Sequence, residues 1–335
     1  MHEALFWEKE KDNRVRCSLC RFRCLISDGR RGRCGVRENQ RGTLYTLVYG
    51  KSIAENIDPI EKKPLFHYHP GSLSYSIATV GCNFRCLHCQ NYTISQWPQD
   101  QPVTGLDLPP AEIVRRAAHS GCRSIAYTYT EPTIYFEYAY DTAVLARERG
   151  LGNIFVTNGY ITPEALEKIA PYLDAANVDL KGYSEQFYRE VTGAELQGVL
   201  ETLLHYRKLG IWLEVTTLII PGRNDDTDQL RDIARFIAGQ LGTDTPWHIT
   251  AFHPAYRMSG LPRTPPETLY KARDIGLQAG LKYVYEGNLI NAREDTLCPG
   301  CGKAVIERDG FRLKGKHLEK GFCEFCRTEI PGIGL

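Results

Sequence analysis

The chain has 335 residues, of which 41 are lysine or arginine and 40 are aspartate or glutamate, so its formal net charge is +1. Such a balance lacks the basic surplus that is typical of proteins that bind nucleic acids or anionic membranes. No apolar run is long enough to span a bilayer, and the charged segment 1–13 lacks the apolar core of a secretion signal. These features predict a cytoplasmic globular protein with neither membrane nor nucleic acid among its partners.

Cysteine is the unusual residue in this composition, since eleven of the twelve cysteines fall into three clusters. Clustered cysteines in a cytoplasmic chain indicate metal ligands rather than disulfide bonds. Cys122 stands apart and is expected to be a small buried residue. The clusters suggest three units: a cysteine-rich N-terminal segment (1–71), a core (72–292) and a cysteine-rich tail (293–335).

The first cluster consists of Cys17, Cys20, Cys24 and Cys34, with the spacing Cys-x2-Cys-x3-Cys-x9-Cys. This spacing matches no standard zinc motif, and four thiolates can bind either zinc or a [4Fe–4S] cluster. The sequence leaves both open. The cluster is surrounded by arginines that we predict to form a solvated face rather than a docking surface for an acidic partner: Arg14, Arg16, Arg21, Arg23, Arg30, Arg31 and Arg33.

The core alternates segments rich in β-branched and aromatic residues with helical segments. The predicted strands are 73–79, 124–128, 153–157, 176–180, 212–220, 248–252 and 282–285. The predicted helices are 111–119, 132–149, 164–172, 195–209, 228–241 and 267–279. This alternation implies parallel strands joined by right-handed crossovers. The expected fold is α/β, a partial (β/α)6-type TIM barrel with small cysteine-rich N- and C-terminal metal-binding appendages, and its site should lie at the carboxyl ends of the strands.

The second cluster, Cys82, Cys86 and Cys89, directly follows the first strand of the predicted core. Three thiolates within eight residues cannot complete a four-coordinate zinc site, but they can bind three irons of a [4Fe–4S] cluster. The fourth iron is then free to bind an α-amino acid through its amino nitrogen and carboxylate. The alternative is a zinc site that a distant histidine completes.

The third cluster lies in the tail and consists of two Cys-x2-Cys pairs, Cys298 with Cys301 and Cys323 with Cys326. Four thiolates at this spacing close a tetrahedral zinc site with no open position. Such a site stabilises a small segment that has no core of its own. Zinc is the predicted metal, and an auxiliary iron–sulfur cluster is the alternative.

The Cys-x3-Cys-x2-Cys loop after the first strand resembles that of the radical S-adenosylmethionine (radical SAM) superfamily. There, three cysteines hold a [4Fe–4S] cluster whose fourth iron binds the methionine part of S-adenosylmethionine. One electron from the cluster cleaves the sulfonium bond and yields a 5′-deoxyadenosyl radical, which abstracts hydrogen from a substrate. The resemblance implies catalytic and metal-binding roles for Cys82, Cys86 and Cys89, and a one-electron reductant such as flavodoxin or ferredoxin.

Further motifs are similar to those of pyruvate formate-lyase activating enzymes and imply where S-adenosylmethionine binds. The chain departs from that pattern at Tyr129 and Thr130, which replace two glycines before Glu131, and at Val156, which replaces an aspartate that helps to bind a cation. The residues implied to line the S-adenosylmethionine pocket are Thr130, Glu131, Asn158, Asp179, Lys181 and His253. The residues expected to face the substrate are His67, His69, Tyr92 and Tyr129. Structural roles are the alternative: Glu131 as a helix cap, Lys181 as a solvated charge and His253 as a loop histidine.

Nearly the whole chain also resembles the radical SAM enzyme of the so-called AmmeMemoRadiSam system. This resemblance implies Memo-type and AMMECR-type proteins as partners, but it does not imply a substrate. Three hypotheses follow: a radical SAM enzyme that acts on a small molecule or on a protein or peptide, an activase of a glycyl-radical enzyme, and a non-catalytic zinc scaffold that binds protein or nucleic acid. The first is favoured, because the motifs lie in order on successive predicted strands.

Overall fold

The structure is a computed structural model that describes residues 1–290 and 292–335. The N-terminal segment forms two antiparallel sheets, in the orders β1-β6-β5 and β2-β3-β4. Its strands are β1 (His2–Glu3), β2 (Trp7–Lys9), β3 (Val15–Cys17), β4 (Leu25–Ile26), β5 (Arg37–Gln40), β6 (Thr43–Thr46), β7 (Lys51–Ser52) and β8 (Ala54–Pro59). No helix in the described ranges is long and apolar enough to cross a membrane.

The core is one sheet of parallel strands that follow one another in chain order. Its strands are β9 (Leu73–Ala78), β11 (Ser124–Tyr127), β12 (Gly152–Thr157), β13 (Ala175–Asp179), β14 (Trp212–Ile219), β15 (Trp247–Ala251) and β16 (Val284–Gly287), and the short β10 (Leu106–Asp107) pairs with β7 outside the sheet. Strand β8 pairs antiparallel with β9 at one edge, and β16 forms the other edge. The sheet is therefore an open, partial barrel, and the predicted fold class is confirmed.

Helices connect the core strands at nearly every crossover. They are α1 (Tyr92–Ser95), α2 (Pro110–His119), α3 (Phe136–Glu148), α4 (Pro163–Ile169), α5 (Glu185–Phe187), α6 (Leu196–Lys208), α7 (Thr227–Phe236) and α8 (Pro266–Gln278). The predicted helix 164–172 changes to a 3-10 turn at Ala170, since Pro171 has no N–H with which to continue an α-helix. The predicted helix 132–149 likewise begins with a 3-10 turn, Pro132–Tyr135.

Some of the seven arginines near the first cysteine cluster make specific contacts within the N-terminal segment and with the core. Arg21 donates to Glu201 at 2.5 Å and to Thr202 at 3.1 Å on α6, and Arg31 pairs with Glu38 at 3.0 Å. The expectation of a solvated face is therefore wrong for these two arginines. Sequence alone does not show which carboxylates the fold will place opposite them.

A buried carboxylate, Glu214 on β14, attaches the segment before β9 to the barrel. It accepts hydrogen bonds from the backbone N–H groups of Phe66 at 3.0 Å and His67 at 2.8 Å, from Trp212 Nε1 at 3.0 Å and from His248 Nε2 at 2.6 Å. Burial alone would raise the pKa of Glu214, but the hydrogen bond and charge of His248 lower it below its ordinary value. Glu214 is thus an ionised carboxylate whose oxygens accept hydrogen bonds from groups inside the protein.

The tail packs against this same segment. Its strands are β17 (Thr296–Leu297), β18 (Ala304–Asp309), β19 (Arg312–Lys316), β20 (Leu318–Glu319) and β21 (Phe322–Cys323). The buried Arg308 donates to the Phe66 carbonyl at 2.8 Å, and its guanidinium lies 4.2 Å from the centre of the Phe66 ring. Phe66 also joins Tyr285 and Ile330 in a small apolar core between barrel and tail. One short segment therefore contacts both units.

We expect Glu214→Ala to lower the free energy of unfolding by about 3–5 kcal/mol, because it leaves two backbone N–H groups and His248 buried without their acceptor. Urea unfolding at neutral pH measures the effect. Glu148→Ala is the matched control, since Glu148 is exposed at the end of α3; we expect it to change stability by no more than about 0.5 kcal/mol. Equal stabilities of the two variants would contradict the role assigned to Glu214.

Candidate active site

A cavity of about 1110 Å³ opens at the carboxyl ends of the core strands. This is the end of a parallel barrel where side chains from several strands can converge. The strand ends and the loops that follow them contribute Thr128, Tyr129, Thr130, Asn158, Asp179, Lys181, Thr216, Leu218, Thr250 and Gly287. Cys82, Cys86 and Cys89 form part of the same wall. The structure thus brings together the second cysteine cluster and most of the implied pocket residues.

The cysteine loop after β9 is tightly held. Gly81 has φ +96°, and a side chain there would meet the Cys34 carbonyl oxygen at 2.8 Å, so only glycine fits. The backbone N–H of Arg85 donates to the Thr192 carbonyl at 2.8 Å, and that of Leu87 donates to the Val191 carbonyl at 2.9 Å. These contacts fix the path of the loop backbone that carries the three cysteines.

The thiols lie in a poorly solvated environment. Burial raises the pKa of Cys86 to about 12, although the Lys181 ammonium opposes this shift. Burial also raises the pKa of Cys82, and the nearby Glu131 carboxylate adds to it. Without a bound cation, the Cys82 and Cys86 thiols stay protonated at neutral pH. They are therefore weak nucleophiles, and a metal that binds them has to displace their protons.

Asp179 and Lys181 form an ion pair at the end of β13, with Lys181 Nζ 2.9 Å from Asp179 Oδ2. Burial would lower the pKa of Lys181, but the charge of Asp179, with the Cys86 thiol nearby, raises it above its ordinary value. The Lys181 backbone N–H donates to the Tyr188 hydroxyl at 3.0 Å. The cavity therefore presents a fixed ammonium that stays charged at neutral pH and can bind a carboxylate. The alternative of a solvated charge is wrong, since only 14% of the Lys181 side chain is exposed.

Glu131 lies behind the cavity wall rather than on it. Its carboxylate accepts hydrogen bonds from Thr133 Oγ1 at 2.6 Å, from Thr157 Oγ1 at 2.8 Å and from the Asn158 backbone N–H at 2.8 Å. It also caps the turn at Pro132 through the Thr133 N–H. The implied role in the S-adenosylmethionine pocket is thus indirect: Glu131 positions Asn158, which lines the cavity.

Tyr129 keeps a backbone conformation that usually requires glycine, with φ +61°. This conformation costs roughly 1–2 kcal/mol for a residue other than glycine. Three contacts hold it: the Tyr129 hydroxyl bonds to Asp58, Lys63 Nζ lies 4.5 Å from the ring centre, and Asn91 Nδ2 donates to the Tyr129 carbonyl at 2.7 Å. Tyr129 is therefore held in a conformation that glycine adopts without strain.

The other implied residues lie outside the cavity wall. His253 is at the rim, where its Nε2 is 3.4 Å from the Asn288 carbonyl oxygen. Tyr92 stacks on Tyr256, with ring centres 4.7 Å apart. The expectation that His67 and His69 face a substrate is wrong. His67 is fully buried between the Pro331 carbonyl and Tyr285, and His69 lies before β9, at the amino end of the barrel.

Among the cavity residues that the sequence did not single out, His88 and Thr216 carry buried polar atoms. His88 lies within the cysteine loop, and burial lowers its pKa to about 3, so its ring is neutral. Its Nδ1 has no hydrogen-bond partner among the described residues, and the same holds for Thr216 Oγ1. The position of His88 inside the cysteine loop is a sequence signal that could have identified it as a cavity residue. Nothing in the sequence around Thr216 distinguishes it from any other strand threonine.

The four thiols of the tail meet at one point. Cys298 Sγ lies 3.5 Å from Cys326 Sγ, and Cys301 Sγ lies 3.8 Å from Cys323 Sγ. A tetrahedral zinc with bonds of about 2.3 Å places its sulfurs about 3.8 Å apart. The tail set therefore has the size of a single-ion site, as its sequence pattern predicts.

Comparisons with known proteins agree with this geometry. The family model of the Radical SAM superfamily matches residues 76–237, from the last residues of β9 through the cysteine loop to the end of α7. A Methanocaldococcus jannaschii protein described as uncharacterized is 49% identical over 333 residues, which is 98% of this chain and 99% of that protein. The chain belongs to the radical SAM superfamily.

More distant relatives carry functional names. A putative glycyl-radical enzyme activating enzyme of M. jannaschii is 23% identical over 61% of this chain and 76% of its own. The crystal structure of a radical SAM methyltransferase from Sphaerobacter thermophilus superposes with a TM-score of 0.50 and 15% identity, over 65% of this chain and 67% of that one. The latter likeness supports the fold alone.

We expect the double variant Cys298→Ser/Cys323→Ser to lose one zinc ion per chain, because it removes two of four ligands from a closed site. Metal analysis of purified protein measures this loss. Residues 293–335 should also become sensitive to limited proteolysis. Cys122→Ser is the control, since Cys122 is buried away from the three clusters. An unchanged zinc content in the double variant would contradict the zinc assignment.

Proposed function

We propose that this radical SAM enzyme binds a [4Fe–4S] cluster on Cys82, Cys86 and Cys89, and S-adenosylmethionine beside it, to abstract hydrogen from a substrate in the same cavity. The observation that carries the proposal is the wall that these groups share. The buried Cys82 and Cys86, the half-buried Cys89 and the Asp179–Lys181 ion pair line one cavity at the carboxyl ends of the strands. No other arrangement in the described chain joins an incomplete thiolate set to a fixed charge.

The residues present fit these two groups. Three thiolates are soft ligands that suit iron and leave one position of a four-iron cluster open. The unpartnered Nδ1 of His88 and Oγ1 of Thr216 are buried polar atoms on the wall, and such atoms require partners. A polar cofactor with amino, carboxylate, ribose and base groups offers donors and acceptors for them.

Each wall residue then has a physical task. When bound, the cluster and S-adenosylmethionine supply a carbon-centred radical able to abstract hydrogen. Lys181 binds the carboxylate of the methionine moiety, and Asp179 holds that ammonium in place. The Thr130 hydroxyl, which donates to the Thr79 carbonyl at 2.9 Å, keeps its lone pairs as acceptors for an amino group. Phe84, buried against Tyr160 and Tyr188, excludes water from the cysteine loop.

The mouth of the cavity favours a substrate that extends beyond it. Ile290 and Phe311 are 85% and 50% exposed, and they belong to the loop after β16 and to the β18–β19 turn of the tail. The cavity volume of about 1110 Å³ lies at the upper end of small-molecule pockets. Two exposed apolar side chains at the mouth of a large open cavity suit a peptide segment of a partner. Memo-type and AMMECR-type proteins are the partners that the resemblance to the AmmeMemoRadiSam system implies. A small-molecule substrate is the alternative within this proposal.

The second candidate is activation of a glycyl-radical enzyme, which the relative of 23% identity favours by its name. An activase abstracts hydrogen from a glycine on a protein loop, and the open mouth admits such a loop. In both cases we propose a cytoplasmic enzyme that a one-electron donor such as flavodoxin or ferredoxin reduces. Transfer of deuterium between the cofactor's 5′ carbon and a target glycine would identify the activase.

We expect Cys86→Ala to abolish formation of 5′-deoxyadenosine from S-adenosylmethionine after anaerobic reconstitution and reduction, because the cluster loses one of three ligands. The zinc of the tail should remain, and Cys122→Ser should behave as wild type. Product analysis and metal counts on the same sample measure both effects. Folded wild-type protein that contains zinc but neither cluster iron nor product would instead support the non-catalytic zinc scaffold.

We expect Lys181→Ala to raise the KM for S-adenosylmethionine by about 10- to 100-fold, since a charge-assisted hydrogen bond is worth about 1.5–3 kcal/mol. Iron content should stay at the wild-type level, because Lys181 ligates nothing. Lys208→Ala, at the exposed end of α6, is the control. An unchanged KM would show that Lys181 does not bind the cofactor carboxylate.

A further inference from the structure

The four N-terminal cysteines line a second, smaller cavity, beside the radical SAM loop. Cys17 ends β3, and Cys20, Cys24 and Cys34 lie on the turns around it. The other walls are mostly apolar, apart from the guanidinium groups of Arg33 and Arg37. The proposed function uses none of these thiols.

The separation of these thiols differs from that in the tail. Among the residues that the structure describes (1–290 and 292–335), the four tail cysteines form a group whose sulfur atoms all lie within 4.8 Å of one another. Cys17, Cys20, Cys24 and Cys34 face one cavity but do not meet this limit, and the same is true of Cys82, Cys86 and Cys89. Thiolates on one zinc lie about 3.8 Å apart, whereas thiolates on different irons of a cluster lie farther apart.

A buried arginine gives an independent indication of the occupant. Arg37 is 1% exposed, and its Nη2 donates to Glu137 Oε1 and to the Leu5 carbonyl, each at 2.6 Å. Arg37 lines the cavity, and its Nε and Nη1 are buried without a hydrogen-bond partner among the described residues. Buried guanidinium N–H groups without acceptors are costly. An anionic group with several acceptor atoms in this cavity would satisfy them.

We propose that Cys17, Cys20, Cys24 and Cys34 bind a second [4Fe–4S] cluster, which exchanges single electrons with the cluster on Cys82, Cys86 and Cys89. Four cysteine thiolates complete the coordination of such a cluster, so this one has no open iron. Its sulfides and thiolate sulfurs are the acceptors that Arg37 lacks, and hydrogen bonds of this kind tune the reduction potential.

The proposed exchange of electrons is supported by direct contact between the two loops that carry the cysteines. The Cys34 carbonyl packs against Gly81, the residue before Cys82, and Arg33 Nε donates to the Asn83 carbonyl at 3.0 Å. Arg85 donates in return to the Arg33 carbonyl. A low-potential flavin or iron–sulfur protein reduces the outer cluster by one electron, and that electron passes to the inner cluster while the outer one is reoxidised. This second part rests on the proposed function, whereas cluster binding by the N-terminal cysteines does not.

The test of cluster binding uses the full chain with the inner site removed, as Cys82→Ala/Cys86→Ala/Cys89→Ala. After anaerobic reconstitution we expect about four irons and four sulfides per chain, together with a paramagnetic resonance signal on reduction. The matched variant Cys20→Ser/Cys24→Ser should contain about four irons per chain fewer than the wild type. The Cys122→Ser variant should contain as much iron as the wild type. An inner-site variant that holds zinc in place of iron, or no metal beyond that of the tail, overturns the proposal.

The test of electron exchange compares paramagnetic resonance spectra of fully reduced proteins. Two neighbouring reduced clusters couple magnetically, so we expect the wild-type spectrum to be broader than the sum of the spectra of the two variants. A wild-type spectrum equal to that sum overturns the proposal of electron exchange but not the proposal that the N-terminal cysteines bind a cluster. Cleavage of S-adenosylmethionine by wild type, measured in parallel, separates the two proposals. Product without an outer cluster defeats this inference alone, and an outer cluster without product defeats the proposed function.

Discussion

The carboxylate of Glu131 determines the geometry of the candidate site, although it does not line the cavity. Hydroxyl and backbone donors from the ends of β11 and β12 converge on it, and one of them is the N–H of Asn158. The Asn158 side chain in turn donates to Asn83 Oδ1 at 2.8 Å, within the cysteine loop. Burial raises the pKa of Glu131, and the hydrogen bonds from Thr133, Asn158 and Thr157 oppose this shift. Two strand ends and the cysteine loop are therefore positioned by one buried carboxyl group.

Buried hydrogen-bond acceptors also attach the segments before and after the barrel to it. Glu214 holds the chain before β9, and Arg308 of the tail donates to the Phe66 carbonyl in that same stretch. The tail can thus supply Phe311 to the rim of a cavity whose thiols lie more than two hundred residues earlier in the chain. A zinc site that fixes the tail would then act on the shape of the mouth as well as on stability.

Sequence patterns predicted the elements better than the contacts between them. The strand at 153–157 is a run of β-branched and aromatic residues between turns, so its alternatives were few, and the structure has Gly152–Thr157. Glu131 shows the opposite case. Its motif indicated importance, but only the fold shows that its oxygens face inward to Thr133 and Thr157. His67 was misplaced for the same reason, because an aromatic and histidine-rich segment before a barrel strand can face either the cavity or the interior.

Cysteine spacing carries less information than cysteine separation. The spacing of all three clusters predicts metal sites. Because soft thiolates bind both zinc and iron, the spacing alone does not identify the metal. In space the clusters differ: the tail thiols close on one point at 3.5 and 3.8 Å, whereas among the described residues the thiols of the other two sets do not all lie within 4.8 Å of one another. The charges around the clusters differ as well. The largely buried Lys181 and the buried Arg37 are cations beside the two wider sets, while the exposed Cys301 and Cys326 of the tail lie at the surface. A multi-iron cluster carries its negative charge into a poorly solvated interior and needs such partners, which a surface zinc ion does not.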